Sequence, residues 1–285
     1  MKKIIERLLI FFLGIPAVAA LVLFLPFYNN LIMNIFVVIF SAIGALEFSR
    51  MLKNKQLIIN RIESVILGSL APFAAALIAS FNCPQWIFPF LFVTGAGWIL
   101  LSGVFARADK MELVSSRIAA GFSVLIYPGF FMCWLVNMTV WNNSAAILVF
   151  LLIVFGSDSA AWLSGNLFGF NNRGITAASP NKSIAGFIGG FIGAIIVSAG
   201  AALIIPDVFI TRLNLNAVLC AVIMGIFTGI AATLGDLAES AVKRSCSVKD
   251  SGNIILGRGG ILDSIDSIAV AAPVYFLLFK LFFIS

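Results

Sequence analysis

IAGFIGGFIGAIIVSAGAALII, residues 184–205, runs for 22 positions without a charged side chain. At 1.5 Å per residue a helix of that length reaches about 33 Å, enough to cross a hydrocarbon core of about 30 Å. Its glycines recur four apart, at Gly186/Gly190 and Gly189/Gly193, and the pattern returns at Gly225/Gly229. Such small-xxx-small spacing lets helices approach closely in lipid, so packing is the expected use of these glycines.

The rest of the chain reads the same way. Of 285 residues 61% are hydrophobic and 11% charged, with a mean hydropathy of +1.11, whereas a soluble domain carries about a quarter charged residues. Eight more apolar runs are long enough to span: about Leu8–Phe27, Leu31–Phe48, Ser64–Phe81, Trp86–Phe105, Ile118–Val140, Ala145–Gly165, Asn216–Leu234 and Ile261–Ile284. The expectation is an all-α, polytopic integral membrane protein of about nine transmembrane helices. Connections are too short for a separate soluble domain.

Orientation follows from the basic residues, which stay in cytoplasmic loops. With the N-terminus cytoplasmic, Lys2, Lys3, Arg7, Arg50, Lys53, Lys55, Arg61, Arg107, Lys110, Arg117, Arg173, Lys182, Lys243, Arg244, Lys249 and Arg258 fall inside. Of the 18 basic residues only Arg212 and Lys280 fall outside. The net charge of +6 is thereby read as topology and attraction to anionic lipid, with no nucleic-acid partner. MKKIIERLL ahead of AVAA resembles a signal peptide, but the apolar run continues through LVLFLPF, and an uncleaved first span is expected. The four cysteines, Cys83, Cys133, Cys220 and Cys246, show no paired spacing. There is no histidine, which removes imidazole bases and zinc–histidine sites.

Polarity divides the chain. Residues 1–143 form scaffold spans whose loops carry scattered charge, and Glu47 and Glu63, flanking the basic loop Arg50–Arg61, are expected to make interfacial pairs. Residues 144–285 bring charge and glycine into the membrane segments, most densely in KRSCSVKDSGNIILGRGGILDSIDS, Lys243–Ser267. The two parts are expected to form one structural unit, and no internal repeat is evident.

On a helix through TLGDLAESAVKR, the residues Asp236, Glu239, Ser240 and Lys243 share one face. Beyond the loop, Asp263 and Asp266 share a face of the next span. Gly257, Gly259 and Gly260 free the backbone to approach a ligand, and the helix that opens after them presents N–H groups suited to phosphate. Carboxylates at that entrance suit Mg²⁺, and neighbouring lysine and arginine would neutralise phosphate. The parts fit phosphoryl or nucleotidyl transfer to something in the membrane. Asp158, inside an apolar span, is a site residue by the cost of placing it there.

The stretch Ser240–Asp266 resembles the signature of the phosphatidate cytidylyltransferases, the CDP-diacylglycerol synthases. Ser240, Lys243, Arg244, Lys249, Asp250, Gly257, Gly259, Gly260, Asp263 and Asp266 stand at matching positions, after the lead-in Gly235-Asp236-Leu237 and Glu239. A second block, SDSAAWLSGNLFG (Ser157–Gly169) with SPNKSIAGFIGG (Ser179–Gly190), resembles the family's Asp-containing span and its Ser-Pro-x-Lys loop. Four positions depart: Arg258 stands for histidine, Ser264 for arginine, Leu256 for proline and Ala185 for glutamate. Arginine can replace a histidine's charge but not its proton transfer.

The resemblance implies that CTP and phosphatidate react in the membrane to give CDP-diacylglycerol and pyrophosphate. It implies Mg²⁺ on Asp236, Asp263 and Asp266, with room for a monovalent cation such as K⁺. Lys243, Arg244, Lys249 and Asp250 join those acids in the catalytic set. Asp158, Ser179, Lys182, Ser183, Ser240, Arg258, Gly259 and Gly260 would hold nucleotide and substrate. The enzyme would sit in the inner (plasma) membrane with its site facing the cytoplasm, and the glycine faces could support a homodimer. Three rival readings are a transporter with a charged pathway, a catalytically impaired relative serving as a partner, and a CTP-dependent lipid kinase.

Overall fold

The computed structural model describes residues 15–104, 106, 108–212, 215–255 and 259–283. Their regular structure is helical, with isolated bridges and no strand among the described residues. Helices α1 (Ile15–Phe24), α2 (Phe27–Lys53), α3 (Arg61–Phe81) and α4 (Ile87–Leu101) are followed by a broken span, Met111–Trp141, containing α5 (Val114–Val124) and α6 (Phe131–Met138). Then come α7 (Ser144–Phe168), α8 (Ile184–Ile204), α9 (Ala217–Ser245) and α10 (Leu262–Phe282). Among the described residues seven stretches are long and apolar enough to cross a membrane: α2, α3, Met111–Trp141, α7, α8, α9 and α10. The chain is therefore a polytopic helical membrane protein. Two expected spans are shorter: α4 has 15 residues, and α1 is described over 10, with the expected start at Leu8 outside the described residues.

Side-chain caps fix several helix starts by satisfying otherwise unpaired N–H groups. Asn60 accepts from Ile62 N at 3.0 Å, Asn143 from Ala146 N at 3.0 Å, Ser183 from Gly186 N at 3.0 Å and Asn216 from Val218 N at 2.8 Å. The broken span has a local cause. Pro128 has no N–H to donate, and Leu125–Phe130 widens into a π-helical turn around it.

The chain divides into two compact units. The first comprises Met1–Val140 with Ser245–Ile265. In it a Cβ on Gly68 would overlap Ala45, and one on Gly129 would stand 3.0 Å from the Gly68 carbonyl oxygen, so glycine lets these helices nearly touch. The Ser41 hydroxyl lies at the same crossing, 2.8 Å from the Gly68 carbonyl and against that of Pro128. Glu63 is paired, with Arg117 and not with the Arg50–Arg61 loop it flanks: Arg117 Nη2 lies 3.0 Å from its Oε2, and Trp98 Nε1 donates to its Oε1 at 2.8 Å. Arg117 is 41% exposed, so Arg117→Ala should cost no more than about 1 kcal/mol. Thermal unfolding in detergent will check this.

The second unit comprises Trp141–Arg244 with Asp266–Ser285. Here α8 packs through glycine on both sides. Gly189 and Gly193 meet Ser164 and Ala160 of α7, while Gly225 and Gly229 of α9 meet Ala194 of α8. The small residues of the opening stretch thus pack helices, as their spacing predicts. An aromatic column joins α7 to α10. Phe150 and Tyr275 have ring centroids 5.1 Å apart, Tyr275 and Phe279 5.7 Å, and Phe279 and Phe283 5.3 Å. The buried Tyr275 hydroxyl donates to the Ala146 carbonyl at 2.8 Å, which removes the cost of an unpaired phenol in lipid.

Candidate active site

Within the second unit one glycine brings two acids together. A Cβ on Gly235 would stand 2.5 Å from the Asp266 carbonyl oxygen and 3.1 Å from Val270 Cβ. Only glycine lets α9 approach the α10 backbone so closely. The next residue, Asp236, is therefore held beside Asp266. Three carboxylates, Asp236, Glu239 and Asp158, lie within electrostatic reach of Asp266.

The helical face read from sequence is present. Asp236 accepts from Ser240 Oγ at 3.4 Å, and Lys243 pairs with Glu239 one turn back. Glu239 is fully buried. From a different segment, Lys182 places Nζ 2.5 Å from Asp236 Oδ2 and 5.8 Å from the Phe187 ring centroid. Arg244 Nε donates to the Ala178 carbonyl at 3.4 Å, tying the end of α9 to the same loop.

Asp266 differs from its neighbours. It is 7% exposed and accepts from its own neighbour Ser267 N at 2.5 Å. No lysine or arginine pairs with it among the described residues. A buried charge is expensive unless it is paired, and more so beside three others of the same sign. Either a proton or a bound cation relieves such an arrangement. Mg²⁺ commonly takes one or two carboxylates and fills its octahedron with water and phosphate oxygens. Asp236 and Asp266 offer that donor set. No group of three or more candidate ligands converges into a ready-made metal cage among the described residues.

The loop before α8 folds back on itself. Gly174 N donates to the Lys182 carbonyl at 3.2 Å and Ile184 N to the Asn172 carbonyl at 3.0 Å. Ser179 turns the chain, with Lys182 N donating to its carbonyl at 3.1 Å. Ser183 is buried, and its hydroxyl caps α8 and fills the space beside Gly165, so its visible work is structural. Lys182 is the side chain this loop sends to the acids. Ala185, where a glutamate was expected from the resemblance, lies in the first turn of α8.

The glycine-rich loop belongs to the first unit. Lys249 and Asp250 are exposed on its approach, and Arg258, Gly257 and Leu256 lie outside the described residues. Gly259 has φ +113°, a left-handed conformation that glycine alone adopts readily. Asp263 Oδ2 accepts three hydrogen bonds: from Gly260 N at 2.7 Å, from Ser251 N at 2.9 Å and from Ser251 Oγ at 2.9 Å. One carboxylate oxygen of Asp263 is thus engaged in shaping the loop. Ser264, in place of the expected arginine, lies 3.4 Å from the Gly260 carbonyl.

Two acids matter more than the sequence suggested. Glu239, one residue of a polar face in sequence, is a fully buried partner of Lys243. Glu47, expected to make a simple interfacial pair, is 1% exposed and bonded to the glycine loop. Its signal was present in IGALEF, where a carboxylate interrupts an apolar span.

Comparison with known proteins agrees with the motifs. The family model described as "Cytidylyltransferase family" matches residues 5–282. The chain belongs to that family. Among relatives, the phosphatidate cytidylyltransferase of Thermotoga maritima is 34% identical over 220 residues, 76% of this chain and 77% of that one. The enzyme of the same name from Staphylococcus aureus is 28% identical over 269 residues, covering 91% and 95% of the two chains. That from Staphylococcus haemolyticus is 42% identical over 127 residues, 45% and 46% of the two. Family membership covers both units, including the N-terminal spans for which the sequence offered only hydropathy.

Proposed function

We propose that this chain is a phosphatidate cytidylyltransferase: it joins CTP to phosphatidate, giving CDP-diacylglycerol and pyrophosphate for phospholipid synthesis. Membership of the cytidylyltransferase family and the names of its relatives support the reaction. The observation that carries the chemistry is Asp266, buried beside Asp236 with no cationic partner among the described residues.

The nucleophile is a phosphate oxygen of phosphatidate, which is already anionic near neutral pH, so the absence of histidine is no obstacle. The bond from the α-phosphorus of CTP to the bridging oxygen breaks as the new one forms, and pyrophosphate leaves with the electron pair. Asp236 and Asp266 would hold Mg²⁺, with Asp263, one turn earlier on α10, as the third ligand in this assignment. When bound, the ion neutralises the triphosphate and stabilises the leaving group. Lys182 and Lys243 orient Asp236 and Glu239, with which they pair. They and Arg244, Lys249 and Arg258 supply positive charge to the phosphates. Asp158, Ser179, Ser183, Ser240, Asp250, Gly259 and Gly260 complete the nucleotide-binding set. A monovalent cation such as K⁺ has a place among so many acids. The site faces the cytoplasm of the inner membrane, where CTP is available, and phosphatidate arrives laterally from the bilayer. A homodimer through glycine-lined faces is part of the same proposal.

Purified protein with phosphatidate vesicles and CTP labelled at the α-phosphorus should transfer label to lipid only with Mg²⁺ present, and EDTA should abolish transfer. Label reaching lipid from the γ-position instead would identify a lipid kinase, and solute flux without labelling a transporter.

Lys182→Met should lower kcat/KM for CTP by about a hundredfold, the size expected for losing a charge aimed at a polyanionic substrate. Steady-state labelling at varied CTP will measure it.

A further inference from the structure

Glu47 lies near the end of α2, more than 200 residues before the glycine-rich loop, yet the loop is built around it. Its Oε2 accepts from Leu262 N at 2.9 Å and lies 3.2 Å from Ser251 Oγ. Two glycines owe their identity to it: a Cβ on Gly252 or on Gly260 would overlap the Glu47 carboxylate. Gly44, one turn earlier on α2, faces the side chains of Leu262 and Ile265 at 3.5 and 3.3 Å, so the same helix face backs the start of α10.

Ser251 links this carboxylate to a second one. Its Oγ is 2.9 Å from Asp263 Oδ2 and 3.2 Å from Glu47 Oε2, and it accepts from Asp263 N at 3.3 Å. A hydroxyl has one proton to donate, so it serves one carboxylate at a time while its oxygen accepts from Asp263 N. The chain of contacts runs Glu47, Ser251, Asp263. The other oxygen, Glu47 Oε1, is buried without a hydrogen-bond partner. Burying a carboxylate with one unpaired oxygen is costly. Tethering a loop of two strict glycines gives that cost a use.

We propose that Glu47 is a positioning residue: its buried carboxylate is the post that holds Ser251 and Gly252 against Gly260 and Leu262, and through Ser251 it sets the place and direction of the Asp263 carboxylate. The catalytic half of this inference rests on the function proposed above. The structural half, the tether, does not.

The test uses the full-length protein in detergent, with Glu47→Ala, Glu47→Gln and Ser251→Ala. Hydrogen–deuterium exchange needs no turnover, so it decides the tether even where the labelling assay fails. In Glu47→Ala, amides between 251 and 263 should exchange at least about tenfold faster, while the middle of α2 keeps its protection. Glutamine retains an acceptor of the same size, so Glu47→Gln should recover most of that protection. It also guards against an alanine variant that does not fold. For the positioning role, the Mg²⁺ concentration giving half-maximal labelling should rise about tenfold in Glu47→Ala and less in Glu47→Gln, the scale seen when the support behind a metal ligand is removed. Ser251→Ala should reproduce the Mg²⁺ shift. Unchanged loop exchange in Glu47→Ala would overturn the tether. A loosened loop with an unchanged Mg²⁺ requirement, only the amount of active protein falling, would reduce Glu47 to a structural residue and overturn positioning.

Discussion

Asp266→Asn should lower the rate of lipid labelling about a thousandfold, the loss typical of removing a principal electrostatic contributor to transition-state stabilisation. The reasoning is one of charge. Asparagine preserves the volume and the acceptor that meets Ser267 N, so the helix contact is kept. What disappears is the carboxyl beside Asp158, Asp236 and Glu239 that can take a full negative charge when a cation binds. Because that carboxyl has no ammonium or guanidinium partner among the described residues, the amide breaks no ion pair. The variant should unfold at the same temperature as the parent, or higher. Loss of activity with unchanged or improved stability marks a group kept for chemistry. Loss of both would mean that Asp266 is a structural element.

Gly235→Leu should be the most damaging single change to the second unit. At this position even a Cβ meets the Asp266 carbonyl oxygen and Val270, and neither atom can rotate away. The helices must part. Overpacking of this kind usually costs about 1–3 kcal/mol, and displacing Asp236 by about 1 Å costs roughly a hundredfold in rate. Gly235→Ala should show the same two effects at smaller size. Thermal unfolding and labelling measured on both variants will check the gradation. A glycine present only for lipid-facing flexibility would tolerate alanine without loss.

Much of this was legible in the sequence because lipid imposes simple rules. Apolar length gave the helices, and glycine spacing gave the contacts of α8 with α7 and α9. The periodicity of TLGDLAESAVKR gave the Asp236–Ser240 and Glu239–Lys243 neighbours, which are local on one helix. What sequence could not give were partners set by tertiary contact. Nothing in the letters says that Lys182, 54 positions before Asp236, would pair with it. Nor do they say that Ser183 would spend its hydroxyl on capping α8, or that Asp263 would direct one oxygen to the loop. For Glu47 the basic loop Arg50–Arg61 offers an easy interfacial explanation in sequence, and the contact with Ser251 and Leu262 is invisible there. The sequence grouping also changes. The first compact unit ends its N-terminal part at Val140 and also takes in Ser245–Ile265, which sequence places with the C-terminal spans. Hydropathy cannot detect a polar loop that returns across more than 100 residues.

The central claim is that Asp236 and Asp266 grip a divalent cation that comes with the nucleotide. Mn²⁺ titration followed by electron paramagnetic resonance, in detergent and with CTP present, addresses it without turnover. Tight Mn²⁺ binding to the parent chain, weakened at least about tenfold in Asp266→Asn, is the result predicted. Equal Mn²⁺ binding by parent and Asp266→Asn, with CTP bound in both, would contradict it.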